Sequence, residues 1–147
     1  MKISTFTDYS LRVLIYLAVH ESQKSTSEEI ATAYNISFHH VAKTAQWLRR
    51  EGYVTSERGR GGGISLSRAA ADINIGEIVQ AAEADTILVD CMREGGGACR
   101  ITGQCGLQSA FAKASSAFYA VLGDFSLADV IKKRSALSQL LYETKID

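Results

Sequence analysis

Three cysteines, Cys91, Cys99 and Cys105, stand in one short run, CMREGGGACRITGQC, interleaved with four glycines. An odd, clustered set of thiols argues against a disulfide framework and towards metal or redox chemistry. Structural zinc takes four ligands with close pairs such as C-x2-C, whereas the spacings here are seven and five residues. Wider thiolate spacing on a glycine-rich loop suits an iron–sulfur cluster, whose larger edge needs ligands further apart. Three free thiols are the bland alternative, reasonable for scattered cysteines and weak for this run. Three thiolates leave one ligand position to fill, and no histidine is near, since His20, His39 and His40 all lie early in the chain.

A second set of polar and cationic side chains, Phe38, His39, His40, Lys43, Gln46, Arg49 and Arg50, falls within one helical stretch. Such residues can read base edges when a helix enters the major groove. Taken alone, a solvated helix face is the better explanation of them. The adjacent histidines point to different sides of a helix, which disfavours them as joint metal ligands. Trp47 is expected in the core. Arg58 and Arg60 flank glycines in Arg58-Gly59-Arg60-Gly61-Gly62-Gly63, a tight tip whose charge would attract phosphates or a narrow minor groove. No Gly-Lys-Ser/Thr ending follows, so this is not a nucleotide-cradling loop. With no Ser/His/Asp set and no clustered carboxylate pair, an enzyme is not expected.

The elements that must position these groups are legible in part. Thr5 and Asp8 read as a capping box for a first helix to about His20, with Leu11, Leu14, Ile15 and Ala18 on one face. Thr26 and Glu29 cap a short helix through Tyr34. Asn35-Ile36-Ser37 breaks it, and Ser37 caps a third helix to about Glu51. Tyr53–Glu57 and Ile64–Ser67 read as two strands around the glycine-rich turn. Three helices followed by a hairpin is the order of a winged helix-turn-helix. Beyond it, Asn74 with Glu77 caps another helix, Leu107–Leu122 forms a long amphipathic one, and Ser126 with Asp129 caps a last one, Leu127 to about Lys133. The expected fold is mainly α with a small β-hairpin: a DNA-binding lobe over residues 1–70, then a cluster loop and a long dimerisation helix over 71–147.

The chain has 147 residues, 46% hydrophobic and 22% charged, with no proline, a composition that excludes a disordered protein. No apolar run approaches the ~18–20 residues that span a bilayer. The start shows no secretory signal, so a cytoplasmic protein is expected. The zero net charge divides into nine basic against six acidic residues over 1–69 and seven against ten over 70–147. A modestly basic front half is compatible with nucleic acid.

Phe6-Thr7-Asp8-Tyr9, Gly52-Tyr53-Val54, the Arg58–Ile64 wing and the cysteine triad together resemble the iron–sulfur winged-helix transcription repressors, over nearly the whole chain. That family includes nitric-oxide-sensing (NsrR), cluster-biogenesis (IscR) and iron-responsive (RirA) branches. Leu88–Cys91, Cys99–Thr102 and Phe125–Asp129 look most like the nitric-oxide-sensing branch, while the longer first cysteine spacing resembles the iron-responsive one. Gln108 stands where the cluster-biogenesis branch places a histidine ligand. The resemblance implies a homodimer held by the Leu107–Leu122 helix and binding a palindromic double-stranded DNA operator. It implies a [4Fe–4S] rather than a [2Fe–2S] cluster on Cys91, Cys99 and Cys105, with nitric oxide as the signal. It also implies Asp8 of the partner subunit as fourth ligand, against the alternative that Asp8 caps its own helix. DNA contacts are expected from Phe38, His39, His40, Lys43, Arg49, Arg58 and Arg60. The alternatives are an iron-responsive regulator and, from another class, an iron–sulfur electron carrier.

Overall fold

The structure is a computed structural model and describes residues 2–143. The last four residues of the expected second region, 144–147, lie outside the described residues. Helix α1 (Thr5–Val19) is capped by Ser4, whose Oγ accepts the Thr7 N–H at 3.1 Å. The expected Thr5–Asp8 box is therefore displaced by one residue: Thr5 is the first helical residue, and Asp8 pairs instead with Arg12 one turn on, at 3.0 Å.

Helix α2 (Ser27–Tyr34) has the full capping box between Thr26 and Glu29, and it ends on Asn35 in the left-handed region at φ 50°. That sharp stop turns the chain into α3 (Phe38–Arg50), where Ser37 occupies the cap position without a side-chain bond. Val13, Leu14, Ile30, Val41 and Leu48 meet between these three helices with 2% exposure or less. Each such side chain contributes about 1.5–3 kcal/mol of burial.

Strands β1 (Val54–Glu57) and β2 (Gly63–Leu66) pair antiparallel in the register Val54↔Leu66 to Glu57↔Gly63. Ser25 adds an isolated antiparallel bridge by exchanging both backbone bonds with Ile64, at 3.0 and 2.7 Å. The base of the wing is thereby stitched to the turn before α2. A winged helix-turn-helix is what the element order predicts, and it is what forms.

Helix α4 (Ile75–Ala82) starts at Asn74, whose Oδ1 accepts the Glu77 N–H. It packs on α5 (Gly106–Gly123), and a Cβ at Gly76 would lie 2.6 Å from the Gly123 nitrogen and 2.7 Å from the Tyr119 carbonyl. Only glycine permits that backbone approach. The short α6 (Leu127–Val130) has the expected Ser126–Asp129 box but ends early. A further helix, α7 (Arg134–Glu143), follows. It is absent from the sequence reading, and it returns to α1, where Arg134 Nε donates to the Val19 carbonyl at 2.9 Å.

One carboxylate is drawn into this framework. Glu83, the C-cap of α4, is 6% exposed and accepts hydrogen bonds from the Ser4 N–H (2.8 Å), the Thr7 hydroxyl and the Thr86 hydroxyl (2.6 Å). Burial alone would raise its carboxyl, but the bonds from Thr7, Thr86 and Ser4 outweigh it and hold the group down at about 2. A carboxyl depressed on folding stabilises the protein above its unfolded value, and that contribution is lost as pH falls towards the folded one. Cluster-free wild type is therefore expected to lose stability more steeply than Glu83→Gln between about pH 4.5 and pH 2, by about 3 kcal/mol at most. Parallel denaturant curves across that window check it.

Candidate functional site

The segment after α4 folds as two tight 3-10 turns, Asp90–Met92 and Glu94–Gly96, before entering α5. Asp90 organises it. Its Oδ1 pairs with Arg93 Nε at 2.7 Å, and its Oδ2 accepts the Ala98 N–H at 2.9 Å, next to Cys99. Gly97, at φ 63°, passes so close to Asp90 that an added Cβ would collide with both its carbonyl and its carboxylate. Thr102 donates to the Gly96 carbonyl at 3.0 Å. Gln108, in the first turn of α5, donates to the Cys91 carbonyl at 2.9 Å. The residue that the sequence reading noted only for not being histidine therefore ties the first cysteine to the helix that follows the third.

This scaffold leaves the thiols unused by the loop itself and brings them to one place. Cys91, Cys99 and Cys105 line a single cavity of about 200 Å³ together with Val89, Ile101, Leu107 and Phe111. All three are free. Among the described residues no three His, Cys, Asp or Glu side chains converge to hold a single metal ion. A multi-iron cluster asks something different, because its thiolates sit around the outside of an inorganic core. Three soft donors around one apolar space fit that requirement. Asp8 is elsewhere in the protomer, on α1, paired with Arg12 and outside the lining of this cavity. Arg12 also lies over the Tyr34 ring at 5.6 Å. Burial pushes that phenol up to about 12, against the opposing pull of Arg12.

The cationic set lies on α3 and the wing. Phe38, His39, His40, Lys43 and Arg49 are exposed along α3, and Arg58 and Arg60 are exposed at the hairpin tip. Arg49 Nη1 donates to Ser56 Oγ at 3.2 Å, which fixes the end of α3 against β1. His40 stands against Tyr9 with ring centroids 5.6 Å apart, so its side chain faces α1, whereas His39 stands against Phe38 at 5.8 Å. Trp47, expected in the core, is half-buried, edge-on to Phe6 at 5.3 Å. The pair lines a concave surface of about 730 Å³ with Lys43, Gln46, Arg49 and Arg50. Phe6 escaped the sequence reading as part of this surface, because only the α1–α3 packing brings it there.

Helix α5 has no buried residue along its length in the isolated protomer, and Leu107 and Val121 are 61% and 60% exposed. No helix among the described residues is long and apolar enough to cross a membrane.

With this geometry in place, comparison with known proteins is decisive. Residues 3–133 match the Rrf2 family, described as an iron-dependent transcriptional regulator. The chain belongs to the Rrf2 family. It is 42% identical over 142 residues to the HTH-type transcriptional regulator NsrR of Bacillus subtilis, covering 96% of this chain and 97% of that one. The protein of the same name from Geobacillus kaustophilus is 39% identical over 146 residues, covering 99% of each. Among solved structures, T. potens IscR superposes with a TM-score of 0.71 at 25% identity, over 90% of this chain and 88% of that one. The Rrf2 assignment makes this chain a DNA-binding transcription regulator and not an enzyme.

The wing generates a direct expectation. Arg58→Ala is expected to weaken operator binding by roughly 1–3 kcal/mol, provided the arginine reads a base or a narrow groove. Fluorescence anisotropy on the folded variant measures it, and unchanged affinity removes the wing from DNA binding.

Proposed function

We propose that this protein is a homodimeric repressor that holds an iron–sulfur cluster on Cys91, Cys99 and Cys105 and leaves its palindromic operator in response to nitric oxide. The observation that carries this reading is the meeting of three otherwise unengaged thiols around one apolar cavity in a chain similar to regulators named NsrR. When bound, the cluster supplies an iron centre reactive towards nitric oxide. The chain's residues do the rest. Asp90 and Gln108 orient the loop, Val89, Ile101 and Phe111 line the apolar side of the cysteine cavity, and the exposed apolar residues of α5 provide the dimer contact. A [4Fe–4S] cluster is preferred, with Asp8 of the partner subunit as fourth ligand. A carboxylate is a harder and weaker partner for iron than thiolate, which suits a ligand meant to be displaced. Phe38, His39, His40, Lys43, Arg49, Arg58 and Arg60 would contact DNA.

A second reading, an iron-responsive regulator, is favoured by the family's description as iron-dependent and by the seven-residue spacing between Cys91 and Cys99. Iron chelation rather than nitric oxide would then release the operator.

Anaerobically reconstituted protein is expected to carry iron and sulfide and to bind its operator with strong salt dependence. Each of Cys91→Ala, Cys99→Ala and Cys105→Ala is expected to lose the cluster while remaining a helical dimer by native mass. Full iron and sulfide in any of the three would overturn the ligand set. Asp8→Ala is expected to keep a cluster on three cysteines with an altered absorbance spectrum and an altered operator response. A variant matching wild type in both would reduce Asp8 to the partner of Arg12.

A further inference from the structure

Glu83 is the only carboxylate, ammonium or guanidinium group buried among the described residues. Its partners come from opposite directions. Ser4 and Thr7 belong to the start of α1, more than seventy residues away, while Thr86 leads towards Cys91. Capping α1 does not require this carboxylate, because Ser4 Oγ already accepts the Thr7 N–H at 3.1 Å. A buried charge costs more than an apolar side chain of similar size unless its partners are well placed, and here two of the three, Ser4 and Thr7, lie across the junction with α1 while Thr86 belongs to the turn after α4. The positive end of the α1 dipole adds to the attraction.

A surface pocket of about 200 Å³ opens beside the junction, lined by Lys2 and Ile3 together with Glu83, Thr86, Ile87, Met92 and Phe118. Through Thr86, the start of the segment between Glu83 and Cys91 is tied to the carboxylate that also holds the first turn of α1. Ser4 in turn holds the turn that carries Asp8, whose N–H donates to the Ser4 carbonyl at 3.1 Å.

We propose that Glu83 is the positioning residue that transmits the state of the cysteine loop to the DNA-binding lobe, by clamping the first turn of α1 to the end of α4. The inference rests on the proposed cluster-dependent repressor. It assigns the coupling to a residue that touches neither metal nor DNA.

The test compares operator affinity of cluster-loaded and cluster-free dimers for wild type and Glu83→Gln, with hydrogen exchange of residues 4–10 in the cluster-free protein. Glutamine keeps one acceptor but cannot satisfy all three donors. Wild type is expected to show a ratio of about tenfold or more between the two states. Glu83→Gln is expected to keep its iron content and native mass, to compress the ratio to about threefold or less, and to speed exchange at residues 4–10. A folded Glu83→Gln dimer with the wild-type ratio and wild-type exchange overturns the proposal, even if its melting temperature falls. If Glu83→Gln does not fold, Thr7→Val, which removes the α1 hydroxyl that donates to Glu83 at nearly constant volume, replaces it: a compressed ratio supports the clamp and an unchanged one overturns it. A wild type that holds no cluster, or binds the operator equally in both states, overturns the functional reading and this inference together. A wild-type ratio preserved in the variants overturns this inference alone.

Discussion

Helix α5 is anchored to the rest of the fold where Gly76 of α4 meets its last turn. At Gly76 the backbones approach so closely that any Cβ would enter the last turn of α5. The contact is reinforced on both sides. Asn74 Nδ2 donates to the Gly123 carbonyl at 2.7 Å, the Ile75 N–H donates to the Phe125 carbonyl at 2.9 Å, and the Leu127 N–H donates to the Ile73 carbonyl at 2.8 Å. The C-terminal end of α5 is thereby fixed to the same short helix that packs Ile78 and Val79 into the core shared with α1. At 1.5 Å per residue, α5 then projects about 27 Å from that anchor. Its far end carries Cys105 and Gln108.

The loop itself shows a division of labour that follows from donor chemistry. Oxygen and nitrogen groups do the folding: Asp90 gathers Arg93 and the Ala98 N–H, Thr102 closes on Gly96, and Gln108 holds Cys91 by its backbone. Sulfur is kept out of that network. The thiols are thereby left free to ligate.

Local spacing made some elements readable in advance. Thr26 with Glu29, Asn74 with Glu77, and Ser126 with Asp129 each encode a helix start within four residues, and all three form. At the N-terminus two neighbouring hydroxyls are available, and Ser4 rather than Thr5 caps α1. Helix α7 carries no recognisable start signal, and it meets α1 through Arg134 on the Val19 carbonyl and Tyr142 against His20. The cysteines were legible because their chemistry is rare and their spacing compact. Glu83, Gln108 and Phe6 were not, since each looks like an ordinary surface residue until partners distant in sequence are brought beside it. Gly76 shows the same limit in the backbone: its role exists only once α5 lies across it.

The central claim is that a cluster on three thiols controls DNA binding through this framework. It is tested most directly by titrating nitric oxide into the anaerobic cluster-loaded dimer on its operator while following absorbance and anisotropy together. Release of DNA in step with loss of the cluster spectrum is the expected result. Operator affinity that stays constant while the cluster spectrum disappears would contradict it.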